Sequence, residues 1–173
     1  MSRGLFIGRF QPFHKGHLEA LKWILSREDE VIVGVGSAQY SHTLRNPFTL
    51  GERIEMIWSV VKQERLLGRV IIVGVPDTNG VHSLWVQTLK AWLPEFDTAY
   101  TNDPLSRRLL KEGGIKVMSI PFFNRNLYSA TRIRELMLKG EPWEHLVPEP
   151  VADYIKKRAL IDRLREIEGA TQL

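Results

Sequence analysis

Residues 5–17 read Leu5-Phe6-Ile7-Gly8-Arg9-Phe10-Gln11-Pro12-Phe13-His14-Lys15-Gly16-His17. The first four residues form a short apolar run that is typical of a buried strand. Leucines at positions 18, 21 and 25 follow at helical spacing, which predicts a helix that begins near His17. A strand that leads through a short loop into a helix is the first half of a β–α–β unit, and this predicts a parallel sheet.

The alternation of strands and helices continues along the chain. Further strands are predicted at 31–35, 70–75, 96–101 and 115–120. Capping residues and helical spacing predict helices after Thr49, over 83–93, from Asp103 to Gly113, over 129–139, and from Pro150 to about 167. The predicted fold class is α/β, a Rossmann-like doubly wound parallel sheet of about five strands with helices on both faces and a C-terminal helical extension. We expect one domain, with a nucleotide-binding core over 1–140 and the extension over 141–173.

Composition excludes several classes of protein. The 173 residues include no cysteine, which excludes disulfides, thiolate nucleophiles and cysteine-based metal sites. No apolar run is long enough to span a membrane and no leader precedes the first strand, so we expect a cytoplasmic protein. The formal net charge is +4, and residues 101–140 hold eight basic and three acidic residues. This excess predicts either a solvated basic face or an anion site built from Arg125, Arg132 and Arg134.

Ligands of a doubly wound sheet bind beyond the carboxyl ends of its strands, near the point where the strand order reverses. The loops to examine are therefore 8–17, 36–48, 75–85 and 121–134. In the first loop, His14 precedes the helix and His17 lies in its first turn, where free backbone N–H groups and the positive helix end favour an anion. The alternatives are two surface histidines or a zinc site, but the remaining histidines lack metal-ligand spacing.

A second anion site is predicted where a helix begins after Ser129. Ser129 as the cap, Thr131 in the first turn and Arg134 one turn later place hydroxyls, free amides and a guanidinium at one helix end, which suits a polyphosphate. The alternative is a capped surface helix with Arg134 in an ordinary ion pair. Arg45 lies in a loop without an acidic neighbour, so it has no obvious local salt-bridge partner.

Four motifs carry a resemblance to a known family. His14-Lys15-Gly16-His17 resembles the His-x-Gly-His signature of the nucleotidyltransferase superfamily, and the wider run 8–17 is similar to the archaeal type of nicotinamide-nucleotide adenylyltransferase. The second loop of that family is similar to residues 36–49, and its nicotinamide-binding loop resembles Asp77 followed by Ser83-Leu84-Trp85. Residues 129–134 match its Ser-x-Thr-x-x-Arg signature. The resemblance spans residues 3 to about 150, with the motifs in the expected order.

The resemblance implies adenylyl transfer from ATP to nicotinamide mononucleotide (NMN), giving NAD and pyrophosphate by direct in-line attack without a covalent enzyme intermediate. The implied catalytic residues are His14, His17, Arg45 and Arg134, with Arg45 on the NMN phosphate. ATP and its phosphates would be bound by Gly8, Arg9, Phe10, Gly16, Ser129 and Thr131. NMN would be bound by Ser37, Gln39, Asp77, His82 and Trp85. Mg²⁺ is the expected cofactor, held mainly by substrate phosphates and water without a protein ligand. A homo-oligomer is expected, and neither nucleic acid nor a membrane is an expected partner.

Three of the residues assigned to NMN have a second interpretation. The Trp85 ring suits a cationic pyridinium, but Leu84, Leu89 and Trp92 also mark an apolar face on which it would pack in the core. Asp77 suits the carboxamide, or it is simply a turn residue. His82 stands where related sequences often have Asn, although an imidazole also forms hydrogen bonds with an amide or a ribose.

Other functions share parts of this pattern. Phosphopantetheine adenylyltransferases and small cytidylyltransferases have the same His-x-Gly-His signature. Class I aminoacyl-tRNA synthetases share the early histidines but are longer chains. A nucleic-acid-binding module fits the basic charge but not the absence of any helix-turn-helix or RNA-binding signature. The sequence leaves open the deamidated acid form of NMN, the choice of triphosphate, and whether the last helix is a lid, an oligomer contact or packing only.

Overall fold

A computed structural model describes residues 1–121 and 128–171, so Arg125 of the predicted anion site lies outside the described residues. The strands are β1 (Arg3–Gly8), β2 (Glu30–Val35), β3 (Val70–Gly74), β4 (Thr98–Tyr100) and β5 (Lys116–Met118). All neighbouring strands are parallel, and their order across the sheet is β3-β2-β1-β4-β5. The predicted parallel sheet of five strands is confirmed, although β4 and β5 are shorter than predicted.

Helices lie between and after the strands. They are α1 (Lys15–Leu25), α2 (Leu50–Gln63), α3 (Trp85–Trp92), α4 (Pro104–Glu112), α5 (Ala130–Lys139), α6 (Glu149–Lys157) and α7 (Leu160–Thr171). Two single turns of 3₁₀ helix, His82–Leu84 and Glu144–Leu146, precede α3 and α6. The N-caps predicted at Thr49, Asp103 and Ser129 are all formed.

Alternate side chains of the strands point into two hydrophobic cores. Phe6 and Val33 pack in a large core with α1, α2, α5, α6 and α7, whereas Leu5 and Ile32 pack in a smaller core with Leu89 of α3 and Leu110 of α4. The sheet therefore has helices on both faces, which is the doubly wound arrangement. The C-terminal helices contribute to the large core rather than to a separate one.

Two predictions about helices are wrong. The single C-terminal helix is two helices, because the chain turns at Arg158 and Ala159, and Ala159 has a left-handed φ of 53°. Apolar residues on both sides of the turn pack in the same core, so their spacing gives no sign of the break. Leu84 and Trp92 do not belong to the apolar face of α3: their exposed fractions are 49% and 57%.

Strand order fixes the place of a ligand site. The chain builds outward from β1 to β2 and β3, and then returns to place β4 on the other side of β1. The loops after β1 and β4 therefore leave in different directions and open a crevice between them at the carboxyl edge of the sheet. Of the described helices, none is both long and apolar enough to cross a membrane.

Candidate active site

Two adjoining cavities occupy the crevice. The first has a volume of about 400 Å³ and is lined by His14, Gly16, His17 and Ser129 together with the end of β4. The second has a volume of about 330 Å³ and is lined by the ends of β1 and β2, by Asp77 and by Trp85. Ile7 and Thr101 line both cavities, so molecules bound in the two would meet beside the carboxyl ends of β1 and β4.

The two predicted histidines form one unit at the start of α1. His14 is the N-cap, and its Nδ1 accepts a hydrogen bond of 3.3 Å from the backbone N–H of His17. In return, the Nδ1 of His17 accepts a bond of 3.1 Å from the backbone N–H of His14, and the two rings stack with their centroids 3.6 Å apart. Because both Nδ1 atoms are acceptors, each neutral ring carries its proton on Nε2. The helix start thus holds two Nε2–H donors.

Burial keeps both rings neutral at neutral pH. Burial lowers the pKa of His14 to about 4. The pKa of His17 is also well below its ordinary value, first because of burial and second because His14 lies against it. The pair therefore presents hydrogen-bond donors rather than fixed charges to an incoming anion.

We expect the free energy of unfolding to fall as the pH is lowered from about 6.5 to about 4, since His14 is harder to protonate in the folded chain than in the unfolded chain. The depressed folded pKa means that this stability is complete above the unfolded value and is lost on acidification. Urea titrations of the wild type and of His14→Asn, which keeps a good N-cap without a titrating ring, measure the effect. On acidification the wild type should lose more stability than the variant, and an equal loss would contradict the lowered pKa of His14.

Two phenylalanine rings pack against the histidine pair. Phe10 lies with its ring centroid 4.8 Å from that of His17, and Phe13 lies at 5.4 Å. Phe10 is buried and has a φ of 53°, and its ring packs in the large core; binding of ATP by this residue stays a prediction. A Cβ on Gly8 would lie 2.9 Å from that ring, so this glycine makes room for Phe10. Gly16 likewise makes room for His14, whose ring would lie 3.0 Å from an added Cβ.

Guanidinium groups gather around the loop that leads from β1 to the histidines. Arg134 is buried and donates a hydrogen bond of 2.9 Å to the carbonyl oxygen of Gln11. Burial, followed by the charges of Arg9 and Arg45, lowers the pKa of Arg134 to about 10. Burial and the charge of Arg45 lower the pKa of Arg9 as well. The like charges of Arg9, Arg45 and Arg134 repel one another, and a bound polyanion would reduce this repulsion.

A fourth arginine was not predicted. Arg53 is fully buried, and its guanidinium donates to the carbonyl oxygens of Thr49 (3.2 Å), Arg9 (2.9 Å), Gly36 (2.7 Å) and Ser37 (3.3 Å). It thereby joins the loops that follow β1 and β2. The sequence did carry a signal, because Arg53 lies one turn before Ile57 and two turns before Val60 on the apolar face of α2.

Three amide side chains join neighbouring loops where the hydrogen bonds of the sheet end. Each uses both its oxygen and its nitrogen on the backbone of one residue: Gln11 on Phe48, Gln39 on Asp77, and Asn102 on Ile120. The two bonds of Gln39 are 2.8 Å each. Gln39, predicted as an NMN ligand, is thus occupied with the loop of Asp77, and Tyr40 forms a hydrogen bond with Asn79 of that loop.

The remaining predicted site residues are divided between those that line a cavity and those that line neither cavity. Gly8, Arg9, Ser37, Asp77 and Trp85 line the second cavity, and Ser129 lines the first. His82, Thr131 and Arg45 are exposed and line neither cavity. Besides Arg53, the sequence analysis missed four cavity residues that follow β4: Thr101, Asn102, Asp103 and Ser106. Strand order was the missing information, since it places the end of β4 beside β1.

Comparison with known proteins decides the family. A family model described as cytidylyltransferase-like matches residues 5–136. A protein of Pyrococcus abyssi named nicotinamide-nucleotide adenylyltransferase is 47% identical over 96% of this chain and 89% of its own length. Proteins of the same name from Thermoplasma acidophilum and Archaeoglobus fulgidus are each 50% identical, over 95% and 96% of this chain and 91% and 98% of their own. The chain belongs to the nicotinamide-nucleotide adenylyltransferases. The resemblance seen in the sequence is confirmed.

The fold of this adenylyltransferase is also found in a larger protein. A crystal structure of a bifunctional NMN adenylyltransferase/ADP ribose pyrophosphatase from Francisella tularensis, complexed with AMP and a manganese ion, superposes with a TM-score of 0.80 at 20% identity. The match covers 98% of this chain and 53% of that protein, so this chain spans about half its length. In residues 1–121 and 128–171 of the adenylyltransferase, no group of three or more His, Asp or Glu side chains is placed to hold a metal ion.

Proposed function

We propose that this adenylyltransferase joins ATP and NMN directly, forming NAD and releasing pyrophosphate as a step of NAD biosynthesis. The main support for the proposal is the cluster of three mutually repelling guanidiniums, Arg9, Arg45 and Arg134, of which Arg134 is hydrogen-bonded to Gln11 in the loop that leads to the paired histidines. Such a cluster is suited to a triphosphate and a second phosphate at once. Two adjoining cavities of different lining then accept the two nucleotides separately.

ATP would occupy the first cavity and NMN the second. The first contains the start of α1 with its two Nε2–H donors and the capped start of α5 at Ser129, both of which favour phosphates. The second contains Trp85 and Asp77, an aromatic ring and a carboxylate, which suit a cationic pyridinium and its carboxamide. The two reacting phosphates would meet near Ile7 and Thr101, where the cavities adjoin.

The reaction is a single displacement at the α-phosphorus of ATP. An oxygen of the NMN phosphate forms the new bond to that phosphorus, while the bond from phosphorus to the bridging oxygen breaks and pyrophosphate leaves with the electron pair. Catalysis then consists of positioning and charge stabilisation, as in phosphoryl transfer generally. The Nε2–H groups of His14 and His17 would donate to the oxygens that gain charge in the transition state.

The arginines divide between the two substrates. Arg134 would bind the β- and γ-phosphates that leave as pyrophosphate, and Arg45 would bind the phosphate of NMN. Arg9 lies in the second cavity and its charge acts on both of the others, so it would contact the transferred phosphate between them. Mg²⁺ bound to phosphate oxygens and water would neutralise part of the triphosphate charge. We also propose that the enzyme acts in the cytoplasm as a homo-oligomer.

A coupled assay tests the reaction. Purified protein is mixed with ATP, Mg²⁺ and NMN, and NAD is measured by its reduction with alcohol dehydrogenase. Phosphopantetheine and nicotinic acid mononucleotide are offered in parallel reactions, with the products separated by chromatography. We expect NAD from NMN and no turnover of phosphopantetheine. Turnover of phosphopantetheine in place of NMN would retain the reaction class and overturn the substrate.

The Trp85→Ala variant tests the assignment of the second cavity. We expect the KM for NMN to rise by about 2- to 30-fold, because an aromatic face is worth about 0.5 to 2 kcal/mol to a cation, while the KM for ATP stays unchanged. Trp92→Ala is the matched control, because Trp92 lies on the same helix but is exposed and lines neither cavity. Equal increases of both KM values in Trp85→Ala would instead indicate a packing role.

A further inference from the structure

The last helix, α7, reaches the loop that carries Arg45 through one side chain. Arg163 donates two hydrogen bonds to the carboxylate of Glu52, with Nη1–Oε1 at 2.6 Å and Nη2–Oε2 at 2.9 Å. Its Nη1 also donates to the carbonyl oxygen of Pro47 at 3.2 Å. The two side chains are only 23% and 14% exposed, so this ion pair is better shielded from solvent than an ordinary surface pair.

Glu52 connects Arg163 to the start of α2. Its Oε1 accepts the backbone N–H of Thr49 at 2.8 Å, and its own N–H donates to Thr49 Oγ1 at 3.1 Å, so the two residues form a capping box. Burial alone would raise the pKa of Glu52, but the hydrogen bonds from Arg163 and Thr49 outweigh it and lower the pKa. Arg163 therefore binds an ionised carboxylate at the point where the second loop ends and α2 begins.

Residues 42–47 form a closed turn with Arg45 near its tip. The N–H of His42 donates to the carbonyl oxygen of Pro47 at 3.4 Å, and the N–H of Thr43 donates to that of Asn46 at 3.3 Å. Pro47, at the base of the turn, thus accepts from both His42 and Arg163. The next residue, Phe48, is bound on both its N–H and its C=O by Gln11. The base of the turn is consequently fixed from α7 on one side and from the first loop on the other.

We propose that Arg163 is a positioning residue for NMN: it fixes the base of the turn 42–47 and so holds Arg45 in position to bind the NMN phosphate. This inference rests on the proposed function of Arg45 and gives α7 a part in substrate binding. Arg45 is exposed near the tip of the turn and forms no salt bridge among the described residues. The position of its side chain therefore depends on how the base of the turn is held. A small displacement of the turn is then sufficient to weaken the contact with phosphate.

The Arg163→Met variant tests the proposal. We expect the KM for NMN to rise about tenfold while the KM for ATP stays within about twofold, since only the turn of Arg45 is released. Arg163→Lys, which keeps one charged contact with Glu52, should restore part of the loss. Arg165→Met is the matched control, because Arg165 lies on the same helix, is exposed, and donates to the carbonyl oxygen of Met137 instead.

Two further readouts separate positioning from general destabilisation. In an Arg45→Met background, Arg163→Met should raise the KM for NMN no further, and additive increases would overturn the proposal. Hydrogen exchange of the amides of His42 and Thr43 should accelerate in Arg163→Met but not in Arg165→Met, whether or not the protein makes NAD. Unchanged exchange would overturn the inference by itself. Faster exchange in a protein that makes no NAD would support the positioning of the turn and overturn the proposed function.

Discussion

Replacing His17 by alanine is expected to lower kcat for NAD formation by about 10² or more. The variant removes one Nε2–H donor that the fold holds in place before the substrate arrives, and the loss of one such preorganised donor typically has this magnitude. It also removes the acceptor of the His14 N–H, so the partner ring loses part of its support. The KM for ATP should rise much less than kcat falls, because the donors act most strongly on charge that develops during transfer.

Initial rates at saturating ATP and NMN measure this effect. His145→Ala is the matched control, since His145 is an exposed histidine in the 3₁₀ turn before α6 and lines neither cavity. Circular dichroism of both variants shows whether the fold is kept. A kcat of His17→Ala within a few-fold of the wild type would mean that His17 is only the reciprocal cap of α1.

Replacing Arg53 by methionine is expected to lower the free energy of unfolding by about 3 kcal/mol or more. Methionine fills a similar volume but leaves the carbonyl oxygens of Arg9 and Gly36 without the donor they have in the wild type. A buried polar group without a partner costs about 1 to 3 kcal/mol. The loops after β1 and β2 would also lose the side chain that joins them, so the site should loosen together with the fold.

Urea unfolding of Arg53→Met measures this loss. Arg108→Met is a suitable control, because Arg108 is exposed on α4 and pairs with Glu112 one turn later. Removal of such a surface pair changes stability by about 1 kcal/mol at most. A loss of less than 1 kcal/mol for Arg53→Met would show that water or neighbouring groups satisfy the two carbonyls equally well.

Features that depend on nearby residues could be predicted from the sequence. The capping box of Thr49 and Glu52, the Asp103 cap before Pro104 and the Gly140 end of α5 each depend on residues within one turn of helix, and all are formed. The parallel sheet follows from alternating strands and helices. The positions of His14 before α1 and of His17 in its first turn also follow from nearby residues and are confirmed, whereas the anion site there stays a prediction.

Features that depend on distant residues could not be predicted in the same way. Arg53 is satisfied by backbone carbonyls 16 and 44 residues away, and Arg163 meets Glu52 across 111 residues. Gln39 was assigned to NMN on its position in a motif, but its amide binds the backbone of Asp77, 38 residues later. The fold brings these partners together, and no spacing in the sequence shows it. The loop after β4 was missed for the same reason.

The stereochemistry at the α-phosphorus shows whether NMN attacks ATP directly. A single diastereomer of ATP with sulfur in place of a non-bridging oxygen on the α-phosphorus is converted with NMN. The configuration at the same phosphorus, which carries the sulfur into the dinucleotide product, is then determined. One in-line displacement inverts the configuration, which is the result we predict. Retention of configuration would require two displacements and hence a covalent enzyme intermediate, which would contradict the proposed mechanism.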